Sequence, residues 1–363
     1  MGPKHRETLL YLVLAGLPVT ASAQRPTLSI EEYDPRSTLV VPAHPKLRAK
    51  FPFIDVHGHQ SRTPNPDSLD KLVREMDAMN MRVMVNLSGG TGDALARGIQ
   101  SYARYPGRFV AFTNIDFRGM DDPGWSERTA AQLEQDVRSG AVGLKIFKNL
   151  GMDLRDAKGR VPTDDPRLDP VWKKAGDLNI PVLIHTGEPP AFFDPVDRYN
   201  ERWLELTQFP GRARPADRYP SFDSLLAEQH RMFRKHPTTR FIAAHLDWLG
   251  ADLARLGRVL DSMPNVYTEI GAVLYELGRQ PRFGREFLVK YQDRVMMGKD
   301  IYAASEYPYY FRVLETADEY FDYYRKRHAF WKMYGLDLPD AVLRKLYHDN
   351  AMKVIPGIPS GSP

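Results

Sequence analysis

The sequence predicts an α/β fold of the (β/α)8, or TIM, barrel type, formed as a single domain by residues 51–355. Short apolar runs rich in β-branched residues alternate with amphipathic stretches, a pattern that is typical of a parallel sheet covered by helices. Eight such runs follow one another without interruption, and the segment exceeds the roughly 250 residues typical of such a barrel. An open sheet of mixed strand order is the alternative, because the order of elements alone does not fix the topology.

Each predicted strand is short and nearly continuous in its apolar character, as expected for a strand buried on both faces. The eight runs are Phe53–His57, Val83–Leu87, Phe109–Ile115, Val142–Phe147, Val182–Thr186, Phe241–Leu246, Val266–Ile270 and Val295–Gly298. Helices are predicted between them, among others over Ser68–Met79, Ser126–Arg138 and Asp223–His236. Catalytic groups of such barrels lie at the carboxyl ends of the strands, so chemistry is expected at those positions.

Three segments lie outside this barrel. Residues 24–50 form a polar N-terminal extension, and Glu188–Ser221 form a long loop insertion after the fifth strand. Long loops of that kind are usually functional. Residues 356–363 are rich in proline and glycine, which predicts a flexible tail.

The first 23 residues have the order of a secretory signal peptide. The basic residues Lys4-His5-Arg6 precede an apolar run over Leu9–Leu17, and the small residues Ala21-Ser22-Ala23 follow it. A membrane anchor, the alternative, needs about 20 apolar residues, whereas a glycine and a proline interrupt this run. We therefore expect cleavage after Ala23 and export of the mature chain to the periplasm or the extracellular space.

Composition excludes several classes of function. The chain has 50 basic and 46 acidic residues and no block of like charges, so neither a nucleic-acid-binding arm nor a membrane-binding patch is indicated for the mature chain. Cysteine is absent, which rules out a disulfide framework, a thiolate zinc site and a cysteine nucleophile. The expected partner is a small-molecule substrate, and any metal must use imidazole and oxygen ligands.

Four histidines and an aspartate fall at the carboxyl ends of predicted strands. His57 and His59 share the first strand, where a period of two points both side chains to the same face. His185 ends the fifth strand, His245 the sixth, and Asp300 follows the eighth. A single histidine is more often a hydrogen-bonded structural residue, but five convergent ionisable groups are costly to bury unless they are paired or bind a metal.

This set of ligands suits one divalent metal ion. Neutral imidazoles and a carboxylate favour zinc and leave manganese and other ions open, and a catalytic site keeps a position for water. We expect His57, His59, His185 and Asp300 to bind the ion. A divalent ion lowers the pKa of bound water toward about 7, which favours hydrolysis at neutral pH.

Six motifs of the chain resemble those of the amidohydrolase superfamily. Within it the chain is similar to the amidohydrolase-related barrels that include aminocarboxymuconate-semialdehyde decarboxylase-like proteins. The resemblance covers residues 51–353 and is carried by Ile54-Asp55-Val56-His57-Gly58-His59, Val142-Gly143-Leu144-Lys145, Ile184-His185-Thr186-Gly187, Ala244-His245-Leu246, Gly298-Lys299-Asp300 and Asn350-Ala351.

The resemblance implies a role for each of these polar residues. It implies that His57, His59 and His185 bind the metal, that Asp300 lies beside it, and that His245 is an acid/base group. Lys145 occupies the place of a carboxylated lysine that bridges two metals in some members, whereas the group most similar to this chain uses one. Lys145 can instead bind an anionic substrate or pair with a carboxylate. At the eighth strand the chain departs from the usual pattern, because Lys299 precedes the aspartate.

The constellation supports hydrolysis of a small amide, ester or lactone, with Asp300 and His245 as the catalytic groups. Non-oxidative decarboxylation of a small carboxylic acid is the enzymatic alternative, and a barrel that retains its ligands but only binds a molecule is a third hypothesis. Substrate contacts are predicted at Glu188 and Arg202, in a loop that forms either a lid or a rim insertion, and at Trp248. The aromatic stretch Tyr307–Tyr334 forms either a homo-oligomer interface or a helix buried against the barrel.

Overall fold

A computed structural model describes residues 27–30, 32–62 and 64–359 of the chain. The described residues from Val40 onward belong to one compact unit, and the described residues up to Leu39 belong to another. The described residues up to Leu39 are largely exposed and contain a turn in which Tyr33 N donates to Ser29 O at 3.0 Å. The predicted signal peptide lies outside the described residues.

Eight strands pair in parallel, each with the next along the chain, in the order β1 to β8. Their bounds are β1 Phe53–Gly58, β2 Met81–Asn86, β3 Phe109–Asn114, β4 Gly143–Ile146, β5 Val182–Ile184, β6 Phe241–Ala243, β7 Val266–Glu269 and β8 Val295–Met296. Two backbone hydrogen bonds join the first strand to the chain after the last: Val56 N donates to Met297 O at 3.0 Å, and Asp300 N donates to His57 O at 2.7 Å. These bonds connect the two edges of the sheet. The predicted barrel is therefore confirmed, and the alternative of an open sheet is wrong.

Helices alternate with these strands. They are α1 Pro66–Met79, α2 Gly92–Ser101, α3 Trp125–Arg138, α4 Asp169–Asp177, α5 Trp203–Gln208, α6 Phe222–Lys235, α7 Leu253–Ser262, α8 Leu274–Gly278, α9 Pro281–Lys290, α10 Tyr307–Glu315, α11 Asp340–Arg344 and α12 Asn350–Val354, with a π-helical turn over Lys345–Asp349. Short 3-10 turns cover Tyr102–Arg104, Pro166–Leu168, Pro190–Phe192, Pro210–Arg212 and Ala304–Glu306, and a two-stranded hairpin pairs Arg155–Asp156 with Gly159–Arg160.

Side-chain caps at α1 and α6 explain why these two helices begin two residues and one residue earlier than the sequence predicts. At α1 the side chain of Asn65 accepts a hydrogen bond from Ser68 N at 2.8 Å, and at α6 Ser221 Oγ accepts one from Ser224 N at 3.2 Å. Caps of this kind satisfy backbone groups that the first helical turn leaves free.

Two clusters of buried apolar residues make up most of the core. The larger lies between the strands and the helices, while a smaller cluster joins strands from opposite sides of the sheet, as Val56, Leu183 and Ile242 show, and so fills the barrel interior. Ile358 belongs to this smaller cluster and is 6% exposed. Ordered packing therefore extends into the segment for which the sequence predicts a flexible tail.

The carboxyl-terminal aromatic stretch divides into two parts. α10 is buried against the barrel through Tyr307, Tyr310 and Phe311, whereas Phe330 farther along is 73% exposed. Among the described residues, no helix combines the length and the apolar character needed to cross a bilayer.

Candidate active site

The carboxyl ends of the strands bring the four predicted metal ligands close to His245, the predicted acid/base residue. The ring of His57 lies 5.2 Å from that of His59 and 4.8 Å from that of His245, and the rings of His185 and His245 are 4.5 Å apart. Asp300 Oδ1 lies 3.5 Å from His59 Nε2 and 3.7 Å from His57 Nε2. One ligand atom from each of His57, His59 and Asp300 lies within 4.8 Å of the others, a spacing that a single ion can bridge.

Two of the predicted ligands are oriented through their Nδ1 atoms. His57 Nδ1 lies 2.9 Å from Oε1 of Glu269, and His59 Nδ1 lies 2.8 Å from Oγ of Ser88. When Nδ1 of a neutral imidazole donates a proton, Nε2 keeps its lone pair. Because the Glu269 carboxylate accepts, His57 Nδ1 donates and its Nε2 keeps the lone pair that a metal needs. The Nε2 atoms of His57 and His59 both lie near Asp300, and each outer partner orients its ring, as is usual for metal-binding histidines.

His245 and His185 form the other half of the site. His245 Nδ1 lies 2.8 Å from the carbonyl oxygen of Gly271, which requires a proton on Nδ1 in the neutral ring and leaves the lone pair on Nε2. That Nε2 lies 3.3 Å from His185 Nδ1. His185 Nε2 is buried and has no hydrogen-bond partner within the described chain. A buried imidazole nitrogen without a partner is costly, so this atom fits a site that a metal completes.

Burial sets the protonation of the histidines. It lowers the pKa of His57 and of His185 well below the ordinary range, and it lowers the pKa of His59 to about 4, with the Lys145 charge acting in the same direction on each. All three are therefore neutral at neutral pH, which is the state that a metal requires.

Asp300 is the ionised group of the site. Burial opposes its ionisation, but neighbouring positive charge, which includes the buried ammonium of Lys145, outweighs burial and holds the pKa of this carboxyl below its usual range. Its side chain is 25% exposed, while that of His57 is fully buried. Asp300 is therefore a carboxylate that lies beside two predicted metal ligands and is also accessible to solvent.

Lys145 lies inside the site rather than at its rim. The residue is 1% exposed, its Nζ is 3.5 Å from His57 Nε2, and burial lowers its pKa to about 8. This position is compatible with each of the three roles considered for Lys145 from the sequence, which are a bridge between two metals, a contact to an anionic substrate and pairing with a carboxylate.

Glu269 is a site residue that the sequence did not reveal. It ends β7, is fully buried, and accepts hydrogen bonds from His245 N at 2.7 Å and from Gly271 N, in addition to facing His57. A carboxylate at the carboxyl end of a predicted buried strand was the available signal, because such groups are rarely buried without partners.

Asp55 is a buried carboxyl group that holds the backbone around His57 and Asp300. Its carboxylate accepts hydrogen bonds from His57 N at 2.9 Å, from Lys299 N at 3.1 Å and from the Tyr307 hydroxyl at 2.5 Å, and burial raises its pKa to about 7. Asp55 thus ties the backbone of His57 to the residue that precedes Asp300.

A left-handed turn carries His245. Four consecutive residues, His245, Leu246, Asp247 and Trp248, have φ values of 61, 54, 57 and 53°. Because this conformation costs an L-residue about 1–2 kcal/mol, tertiary contacts must hold it. The Asp247 carboxylate accepts a hydrogen bond from Gln229 Nε2 at 2.5 Å and lies 2.7 Å from Nε2 of His230, both on α6.

Trp248, a predicted substrate contact, lies at the site. Its ring is 4.5 Å from that of His245 and 5.6 Å from that of His185. The indole therefore forms a wall beside the histidines.

The other two predicted substrate contacts are held by ion pairs. Glu188 is 2% exposed and accepts hydrogen bonds from Lys148 Nζ at 2.5 Å and from Arg214 at 2.9 Å. Arg202 is 4% exposed, and its guanidinium donates to Glu205 at 2.9 Å and to the Tyr275 hydroxyl at 2.6 Å. These bonds anchor the loop insertion, and the structure does not place Arg202 among the groups that contact the histidines.

The barrel and its histidine and carboxylate cluster define an enzyme of the metal-dependent TIM-barrel class. A family model for amidohydrolases matches residues 54–357, and the chain belongs to the amidohydrolase family. This superfamily contains both hydrolases and decarboxylases. No curated protein matches the sequence.

Solved structures show the same fold. An uncharacterised TIM-barrel protein from Bordetella bronchiseptica is 16% identical, with a TM-score of 0.54 over 84% of this chain and 98% of that one. A 2,6-dihydroxybenzoate decarboxylase is 16% identical, with a TM-score of 0.50 over 84% and 99% of the two chains. The manganese-bound 5-carboxyvanillate decarboxylase of Novosphingobium aromaticivorans is 15% identical, with a TM-score of 0.50 over 85% and 99%.

Proposed function

We propose that the protein is an exported, metal-dependent hydrolase that adds water to the carbonyl carbon of a small amide, ester or lactone. The observation that carries the proposal is the position of Asp300. Its carboxylate is ionised, lies beside His57 and His59, and keeps a quarter of its side chain exposed. A base of this kind can reach a water molecule that enters from the mouth.

One divalent ion fits the donors of this chain. His57, His59 and His185 would hold it through imidazole nitrogens and Asp300 through a carboxylate oxygen, a set that suits zinc and that manganese also accepts. When bound, such an ion polarises a carbonyl oxygen and lowers the pKa of water. The manganese in the similar 5-carboxyvanillate decarboxylase supports a divalent ion as the cofactor.

Asp300 would move the proton in the proposed reaction. Its carboxylate would accept a proton from the attacking water and return it to the departing nitrogen or oxygen once the bond to the carbonyl carbon breaks. The sequence predicted His245 as a second acid/base group. The Nδ1 atom of His245 faces a carbonyl oxygen and its Nε2 atom faces His185. We therefore propose that His245 mainly orients His185, and that it transfers a proton only if Asp300 does not.

Decarboxylation is the second candidate, and Lys145 is the observation that favours it. A buried ammonium beside His57 would pair with a substrate carboxylate, and two of the similar barrels are decarboxylases. In this reaction the bond from the carboxylate carbon to the rest of the substrate breaks, carbon dioxide leaves, and a proton is added to the substrate carbon that keeps the electron pair, without addition of water to a carbonyl.

Turnover and metal content of the purified mature protein test the proposal together. The substrate panel contains lactones, esters, amides and aromatic carboxylates, each assayed with and without a chelator. We expect one equivalent of metal per chain. We also expect hydrolysis of a carbonyl substrate to its carboxylic acid, and we expect the chelator to abolish this hydrolysis. Chelator-sensitive release of carbon dioxide alone would assign the second candidate, and binding without turnover of any compound would contradict both.

We also propose that the mature chain forms a homo-oligomer through its carboxyl-terminal aromatic stretch. The support is that the exposed ring of Phe330 lies 5.3 Å from the partly buried ring of Trp331, since adjoining apolar side chains in water favour burial against a partner. Light scattering of the wild type and of Phe330→Ser tests this. A monomer in both cases would contradict the proposal.

A further inference from the structure

Three charged side chains stand beside the candidate active site and are not used by the proposed chemistry. Lys148, Glu188 and Arg214 form what we call the rim cluster. β4 and β5 are parallel neighbours, so the residues that follow their carboxyl ends emerge at the same mouth. Lys148 follows β4 two residues after Ile146, and Glu188 follows His185 by three residues.

The rim cluster has an unbalanced positive charge. One carboxylate oxygen, Glu188 Oε1, accepts hydrogen bonds from both Lys148 Nζ at 2.5 Å and Arg214 at 2.9 Å. Two cations therefore share one anion, which leaves a net charge of about +1 when all three groups are ionised.

Burial distinguishes the three members. The side chains of Glu188 and Arg214 are 2% and 9% exposed, whereas that of Lys148 is 41% exposed. Arg214 is fixed further by donating to the carbonyl oxygens of Gly211 and Ala213. The buried pair thus forms a rigid base, and Lys148 is the member whose ammonium group has donors left for a ligand from solvent.

An aromatic surface adjoins this cation. Phe147, the residue before Lys148, is 37% exposed, and its ring lies 5.8 Å from the ring of His59. A ligand that contacts His59 and reaches Lys148 would therefore pass over an apolar ring. Such a surface favours a flat, apolar body with a negative group at one end.

We propose that the rim cluster is a carboxylate-binding subsite, in which Lys148 contacts a carboxylate that the substrate carries in addition to its reacting carbonyl. Glu188 and Arg214 position Lys148, and Phe147 contacts the body of the substrate. This inference rests on the proposed function and narrows its substrate class to anionic, preferably aromatic, carbonyl compounds.

Equilibrium binding to the metal-loaded protein tests the subsite without requiring turnover. The probes are isophthalate and its neutral analogue isophthalamide, each measured by titration calorimetry. We expect Lys148→Met to weaken isophthalate by about tenfold or more, as for loss of a charged hydrogen bond, and to leave isophthalamide unchanged. Lys148→Arg keeps the charge and should stay within about threefold of the wild type.

A matched control uses Lys173 on α4, whose ammonium pairs with Asp177 at 2.7 Å and whose side chain is 72% exposed. Lys173→Met should bind both probes as the wild type does. Equal isophthalate affinity in the wild type and Lys148→Met, or an equal loss for both probes, would overturn the subsite. The absence of turnover on the carbonyl panel would instead contradict the hydrolase proposal and leave the binding result intact.

Discussion

The Nδ1 atom of His57 lies 2.9 Å from Oε1 of Glu269, and both side chains are completely buried. This contact spans from β1 to β7 and determines which nitrogen of His57 faces the predicted metal position. Glu269 also accepts a hydrogen bond from His245 N, so a single carboxylate orients two of the four histidines.

Replacement of this carboxylate tests its orienting role. Glu269→Gln keeps the size but removes the negative charge and leaves one accepting oxygen for three N–H donors, which are His57 Nδ1, His245 N and Gly271 N. We expect metal affinity to fall by about 10- to 100-fold, as is typical when the outer partner of a metal-binding histidine is weakened or removed. Competition with a metal-binding dye measures this, and Glu134→Gln, which alters a surface ion pair on α3, is the control. Unchanged affinity in Glu269→Gln would contradict the role.

The left-handed turn predicts an order of stability between two variants. Asp247→Ala and Asp247→Gly both remove the carboxylate that contacts Gln229 and His230. Glycine adopts the observed φ of 57° without the cost that alanine incurs, so Asp247→Ala should be less stable than Asp247→Gly by about 1 kcal/mol. Urea denaturation provides the comparison. Equal stability, or the reverse order, would show that this backbone conformation is not strained.

The lowered pKa of His59 predicts a pH dependence of stability in the metal-free protein. His59 has a pKa of about 4 when folded and of about 6.5 when unfolded, so the unfolded state binds more protons between these values. The wild type should therefore lose stability as the pH falls from 6.5 to 4. The variant His59→Gln lacks this titrating group. Between pH 6.5 and pH 4 its free energy of unfolding should therefore fall by about 1–3 kcal/mol less than that of the wild type. Parallel curves of unfolding free energy against pH would refute the assignment.

Much of the barrel could be predicted from the sequence because its signals are local. An apolar run such as Val182–Thr186 specifies a buried strand through its own composition, and the position of His185 at its end follows directly. The convergence of His57, His185 and Asp300 then follows from the closure of the barrel.

The remainder depends on contacts between distant segments. Nothing local to Glu269 shows that it meets His57, 212 residues earlier in the chain. The turn over His245–Trp248 contains no glycine, so its left-handed conformation could not be anticipated. Substrate contact by Arg202 stays a prediction, whereas the hydrogen bonds of its guanidinium to Glu205 and to the distant Tyr275 could not be anticipated.

Export predicts a defined amino terminus. Because a charged, an apolar and a small-residue segment follow one another up to Ala23, we expect the mature chain to begin at Gln24. Mass spectrometry of protein from the periplasmic and secreted fractions of the native host measures this directly. Intact Met1–Ala23 on cytoplasmic protein would contradict export.

The most direct test of metal-dependent hydrolysis with Asp300 as the base compares metal content and turnover in two variants. His57→Ala removes an imidazole ligand and should lose metal and activity together. Asp300→Asn keeps an oxygen donor but removes the base, so it should retain much of its metal while turnover falls by roughly 100-fold or more. If Asp300→Asn instead lost its metal but regained near-normal turnover with excess metal, Asp300 would be a ligand only, and proton transfer would pass to His245.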